Sequence, residues 1–126
     1  MIHLDTSVLI DALTGPRRSA ARLRGAIADG ERVTLSTIVL YEWLRGPRDP
    51  RELAAQEALF PREAAAAFGK EEAALAADLC RKVRRPRGRE LDLAVAACAM
   101  TCGASLWTLN ESAFSDIPGL RLYALL

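Results

Sequence analysis

The stretch Ile2-His3-Leu4-Asp5-Thr6-Ser7-Val8-Leu9-Ile10 joins two hydrophobic periodicities in nine residues. Ile2 to Leu4 is a short apolar run that ends at the helix-capping types Asp5-Thr6-Ser7. Val8, Leu9, Ile10 and Leu13 then recur at helical spacing up to Gly15-Pro16. A strand is therefore predicted to turn directly into a helix, with a carboxylate at the junction. The pattern returns further on: a helix over 19–28 stops at Asp29-Gly30, Val33 to Leu35 reads as a strand, and Ser36-Thr37 supplies the next cap. Such alternation predicts an α/β fold, a three-layer α/β/α domain with a mostly parallel central sheet. In sheets of this kind ligands bind beyond the carboxyl ends of the strands, where Asp5 and Asn110 fall.

The rest of the chain fills out that plan. Ile38 to Leu44 reads as a helix closing at Gly46-Pro47, and Pro50 to Leu59 as another before Pro61. Ala64 to Gly69 is read as a short strand, although alanine itself favours helix. Leu75, Leu79 and Val83 lie four apart in an amphipathic helix over 70–83, which runs into an Arg/Pro/Gly loop from Arg84 to Arg89. Leu91 to Cys102 is an apolar helix ended by Gly103, Ser105 to Thr108 a strand, and Ile117-Pro118-Gly119 a turn into a last strand from Arg121 to Ala124.

Length and composition limit the function classes. A chain of 126 residues suits a single domain over 1–126. With 51% hydrophobic and 26% charged residues it has the balance of a globular protein, not of a disordered or fibrous one. The formal net charge of +1 means that any charged site must be local. Three cysteines without Cys-x-x-Cys spacing and the single histidine argue against a zinc site. The absence of an export signal pattern and of a long apolar run sets the expected location as the cytoplasm, with reduced thiols. There is no Gly-x-Gly-x-x-Gly, P-loop or Gly-x-Ser-x-Gly motif for dinucleotide, nucleotide or serine hydrolase chemistry.

The informative feature is one carboxylate embedded in each of three apolar segments: Asp5 within 2–10, Glu42 within 38–44 and Asp92 within 91–97. An ionised carboxylate is costly to bury without a partner, and three converging on one cleft repel each other unless a cation is bound. Oxygen ligands of this kind suit Mg²⁺ or Mn²⁺, completed by water and substrate phosphate. Each acid also has a structural reading. Asp5 and Asp92 lie near helix starts, where a carboxylate caps free N–H groups, and Glu42 has Arg45 and Arg48 as candidate partners.

These segments also carry a family resemblance. Leu4-Asp5-Thr6-Ser7-Val8-Leu9-Ile10-Asp11 is similar to the opening strand and first acid of PIN domains, and Tyr41-Glu42-Trp43-Leu44-Arg45-Gly46 to the segment of the second. Asp92-Leu93-Ala94-Val95-Ala96-Ala97-Cys98-Ala99 is similar to the segment of the third. With Thr108-Leu109-Asn110 and the stretch from Phe114 to Leu120, the chain resembles, over essentially its whole length, the VapC-type toxins of toxin-antitoxin pairs. The resemblance implies hydrolysis of RNA phosphodiesters with Mg²⁺ or Mn²⁺ held by Asp5, Glu42 and Asp92, Thr6 orienting a water. It also implies a homodimer and a cognate antitoxin covering the acidic cleft. Many relatives supply a fourth acid at the place of Asn110 or three residues later, where this chain has Ala113. Asn110 still offers a carbonyl oxygen, and Glu111 and Asp116 are the nearby acids that would compensate. Weaker metal binding is expected in consequence.

Arg84, Arg85, Arg87 and Arg89 form a basic run just before Asp92 and are candidates for RNA contact, the alternative being a solvated helix end whose cations serve the dipole. Two rival functions stay open on these residues: a degenerate PIN scaffold that binds RNA or a protein without cutting, and an RNA-maturation nuclease that has no antitoxin. His3, Trp43, Trp107, Cys98 and Cys102 are read as core residues.

Overall fold

The computed structural model describes residues 1–124. Three strands, β1 (Ile2–Leu4), β2 (Val33–Thr34) and β3 (Ser105–Trp107), form one sheet in the order β2-β1-β3, with both pairings parallel. Ile2 stands opposite Val33 and Ser105, and Leu4 opposite Trp107. All three β1 residues are buried, at 1%, 1% and 0% exposure. Side chains alternate faces along a strand, so burial of all three means that both faces of the sheet are covered.

Six helices supply the cover: α1 (Thr6–Leu13), α2 (Ala20–Ala28), α3 (Thr37–Arg45), α4 (Pro50–Leu59), α5 (Lys70–Lys82) and α6 (Glu90–Thr101). Their ends follow from local chemistry. The Ser36 hydroxyl accepts the Val39 N–H at 3.2 Å and starts α3. Asp49 and Glu52 exchange side-chain and backbone bonds at 2.9 Å around Pro50, a capping box that starts α4. α6 is buried from Leu93 to Ala99 without a polar break, and four of those seven residues are alanines. A helix apolar all round belongs in the middle of a domain, and its small side chains let α5, α3 and β3 pack close. The start of this central helix carries Asp92.

Two expected strands are corrected. Residues 62–64 form a 3-10 turn, and of the stretch from Ala64 to Gly69 only Ala66 makes a parallel bridge, to Ser36, its amide donating to the Leu35 carbonyl at 2.8 Å. Beyond β2 the sheet edge is covered there by one bridge instead of a full strand. The expected last strand from Arg121 to Ala124 likewise shrinks to a single bridge, Leu106 to Leu122. Trp43, Trp107, His3 and Cys98 lie in the core as read, whereas Cys102 is exposed as the C-cap residue of α6, where Gly103 in the left-handed region ends the helix.

Candidate active site

The three acids arrive from three helix segments. Asp5 follows β1 directly and is the N-cap residue of α1, Glu42 lies in mid-α3, and Asp92 sits in the first turn of α6. β1 is the central strand, so Asp5 sits at its carboxyl end between two parallel neighbours, and its N–H donates to the Trp107 carbonyl at 2.9 Å.

The capping role of Asp5 does not hold: its side chain makes no cap hydrogen bond to α1. Two hydroxyls bind it instead. Ser7 and Thr108 each donate to Asp5 Oδ2 at 2.8 Å, and Thr108 follows directly after β3. Ser7 Oγ also accepts the Leu109 N–H at 3.1 Å, and Thr108 Oγ1 accepts the Asn110 N–H at 3.0 Å. This small network, buried at Asp5 and Thr108 with 7% exposure each, fixes one carboxylate oxygen and so aims the other. Beyond their capping-type identity, nothing in the sequence singles out Ser7 and Thr108 for this use.

Thr6 donates to Glu42 Oε1 at 2.7 Å, which links α1 to α3 and fixes the second acid. Glu42 also has Arg45 at 3.7 Å, a long contact on a guanidinium 53% exposed and worth little. Arg48 is not a partner of Glu42: it lies over the Trp43 ring at 4.1 Å and donates to the Trp43 carbonyl at 3.0 Å.

Asp92 reports the convergence. Its pKa is raised above the ordinary aspartate value by burial, then by the charge of Asp5, then by that of Glu42, with Arg89 acting in the other direction. Asp92 therefore feels the charges of Asp5 and Glu42. Among the described residues, no group of three or more Asp, Glu, His or Cys side chains is arranged to hold a metal ion.

The compensating acids fare differently. Asp116 is held by Arg89 in a fork, at 2.6 and 2.9 Å, and the hydrogen bond keeps its carboxyl below the usual aspartate range. It is committed to a cation and does not serve the cleft. Glu111 lies exposed in a 3-10 turn over 111–113. Asn110 Oδ1 already accepts from Ser112 Oγ at 3.1 Å. Of the basic run, Arg84, Arg85 and Arg87 are exposed, while Arg89, the N-cap residue of α6, is half-buried.

This fold and acidic cleft define a class. The PIN domain family model matches residues 2–120, and the chain belongs to that family. It is 33% identical over 120 residues to Ribonuclease VapC19 of Mycobacterium tuberculosis, covering 94% of this chain and 95% of that protein. Among solved structures, DNA-bound VapBC from Salmonella typhimurium is similar with a TM-score of 0.79 at 25% identity, over 97% of this chain and 96% of that one. VapBC2 from Rickettsia felis, bound to a promoter DNA fragment, shares the fold with a TM-score of 0.74 at 20% identity and full coverage of both chains.

Proposed function

We propose that this chain is a single-domain, divalent-cation-dependent endoribonuclease of the VapC type, the toxin of a toxin-antitoxin pair. The observation that carries the reading is the placement of Asp5 at the carboxyl end of the central strand and of Glu42 on the neighbouring Thr6, with the charges of both bearing on Asp92. The family match and the 33% identity to a protein named as a ribonuclease support it.

In this reading Asp5, Glu42 and Asp92 would hold Mg²⁺ or Mn²⁺, in part through water. The ion, when bound, makes water a better nucleophile and neutralises charge developing on the phosphate. The protein's own contribution is orientation. Ser7 and Thr108 bind Asp5 Oδ2, so that its other oxygen would be available to an ion, while Thr6 binds Glu42 Oε1 and Arg45 lies 3.7 Å from Oε2. Thr6 thus positions an acid, where the resemblance implies that it orients a bound water. A bound cation would offset the repulsion from Asp5 and Glu42 that raises the Asp92 pKa. Asn110 completes the mouth of the cleft, and the substrate backbone meets the basic loop from Arg84 to Arg89.

Two protein partners belong to the reading: a cognate antitoxin that covers the cleft, and a second copy of the chain. The structural relatives are VapBC assemblies, which supports the first. Exposed Tyr41 and Leu44 flank Glu42 on α3 and would be buried by a partner that reaches the acids. No helix among the described residues is long and apolar enough to cross a membrane. The protein acts in the cytoplasm, where its RNA is.

The test is cleavage of pooled cellular RNA by antitoxin-free protein in Mn²⁺. Cleavage abolished by EDTA and by Asp5→Ala is expected. Cleavage that survives Asp5→Ala refutes the assignment, and RNA binding without any cleavage favours the non-cutting scaffold.

A further inference from the structure

The parallel sheet has a second end, remote from the acids. Met1 lies before β1, Arg32 before β2 and Cys102 shortly before β3, so all three gather at the amino ends of the strands, whereas Asp5 leaves β1 at its carboxyl end. A cavity of about 430 Å³ opens there, with Met1, His3, Arg32, Thr34 and Cys102 in its lining. Its chemistry is unlike that of the acidic cleft. No carboxylate of the described residues lines it, and the one charged side chain in the lining is Arg32.

His3 is the anomaly at this cavity. It is 1% exposed in the central strand, and neither Nδ1 nor Nε2 has a hydrogen-bond partner among the described residues. Buried polar groups are ordinarily paired, so an imidazole with both nitrogens idle calls for a ligand. The Trp43 and Trp107 indoles also bury an unpaired N–H, but an indole is a donor only, and neither ring lines the cavity. Neutral imidazole keeps a lone pair, and Cys102 in the same lining is a free, exposed thiol. A nitrogen sealed from water and a thiol open to it make a pair of soft donors with an entrance. Met1 contributes a thioether to the same lining.

These donors select the ligand. Mg²⁺ and Mn²⁺ take oxygen ligands, and Mg²⁺ keeps several waters, which a sealed nitrogen does not admit. A closed zinc site needs four ligands, and the described residues offer no group of even three His, Cys, Asp or Glu side chains arranged for an ion. Cu(I) is selected by thiolate and thioether sulfur, imidazole suits copper as well, and this ion forms stable complexes at low coordination number. When it binds, the Cys102 thiol releases its proton to solvent and the thiolate cancels the charge of the ion, so no net charge is added beside Arg32. We propose that the amino end of the sheet is a Cu(I) site, with the His3 imidazole and the Cys102 thiolate as its ligands. The site stands apart from the ribonuclease reading and does not depend on it.

The experiment titrates the reduced, metal-free full chain, without oxygen, against the coloured Cu(I) complex of bicinchoninate. The unaltered protein is expected to withdraw one Cu(I) per chain. Cys102→Ser, at an exposed position, and His3→Phe, which keeps a ring in the core, should each weaken binding by more than about tenfold, the loss that disturbing even an indirect metal contact produces. Cys80→Ala should leave binding unchanged. X-ray absorption of the loaded, unaltered protein should show sulfur together with the multiple-scattering signature of an imidazole, which tests His3 without any substitution. A thermal melt of each variant checks its fold.

No withdrawal of Cu(I), or an affinity untouched by Cys102→Ser, overturns the site. A copper spectrum with sulfur but no imidazole overturns the part of His3 whether or not His3→Phe folds. Half an ion per chain, the sign of an ion bridging Cys102 of two copies, overturns it as well.

Discussion

Thr108→Val isolates the support of the first acid. Valine keeps the shape of a side chain 7% exposed and removes one hydroxyl, which donates to Asp5 Oδ2 at 2.8 Å and accepts the Asn110 N–H at 3.0 Å. A hydrogen bond to a charged group contributes about 1.5–3 kcal/mol. Ser7 still donates to the same oxygen, and Asn110 is exposed, so its freed amide can turn to water. The lower end of the range therefore applies, and a loss of about 1.5–2 kcal/mol is expected in urea unfolding at neutral pH. Thr108→Ser, which restores the hydroxyl, should recover most of it. In an Asp5→Asn background the same substitution should cost less by about 1 kcal/mol, since the charge that strengthened the bond is gone. An equal loss in both backgrounds would refute the claim that Thr108 acts through Asp5 and would make it a packing residue only.

Other expectations concern charge, core and cap. The pKa of Asp92 is raised in the folded protein, so its contribution to stability is present at acidic pH, below its unfolded value, and is lost as pH rises through the folded value. Asp92→Asn should therefore raise the melting temperature of the metal-free protein at neutral pH while abolishing cleavage. An unchanged or lower melting point would contradict the buried, mutually repelling cluster. Trp43 is 0% exposed, and Trp43→Ala should cost about 3–5 kcal/mol by chemical denaturation. Ser36→Ala removes the cap of α3 and should cost about 1 kcal/mol in the same measurement.

The elements that position the site are readable in the sequence for a physical reason. β1, α1 and α6 are decided by local periodicity and end signals, and α4 by Pro50 and Pro61, so their ranges follow closely from the chain alone. The carboxylates stand out because charge inside apolar runs is costly wherever those runs fold. What escapes a sequence reading depends on pairings distant along the chain. Thr108 meets Asp5 and Ser7 only once β1 and β3 lie side by side, and no local signal separates that use from capping. Asp116 reads as a spare acid because its separation from Arg89, 27 residues, hides the fork that occupies it. Ala64 to Gly69 misleads because a run of alanines carries no facing preference, and its single bridge is set by the edge of β2. The resemblance through three acids locates the cleft; the hydroxyls that shape it and the fork that takes Asp116 from it emerge only in the folded chain.

Mn²⁺ titration followed by electron paramagnetic resonance, on the unaltered protein and on Asp5→Asn, Glu42→Gln and Asp92→Asn, addresses the cleft itself. Saturable binding to the unaltered protein, weakened by each of the three substitutions and untouched by Asp116→Asn, is the expected result. Binding that is indifferent to the three acids, or that depends on Asp116, would contradict a metal site built from Asp5, Glu42 and Asp92.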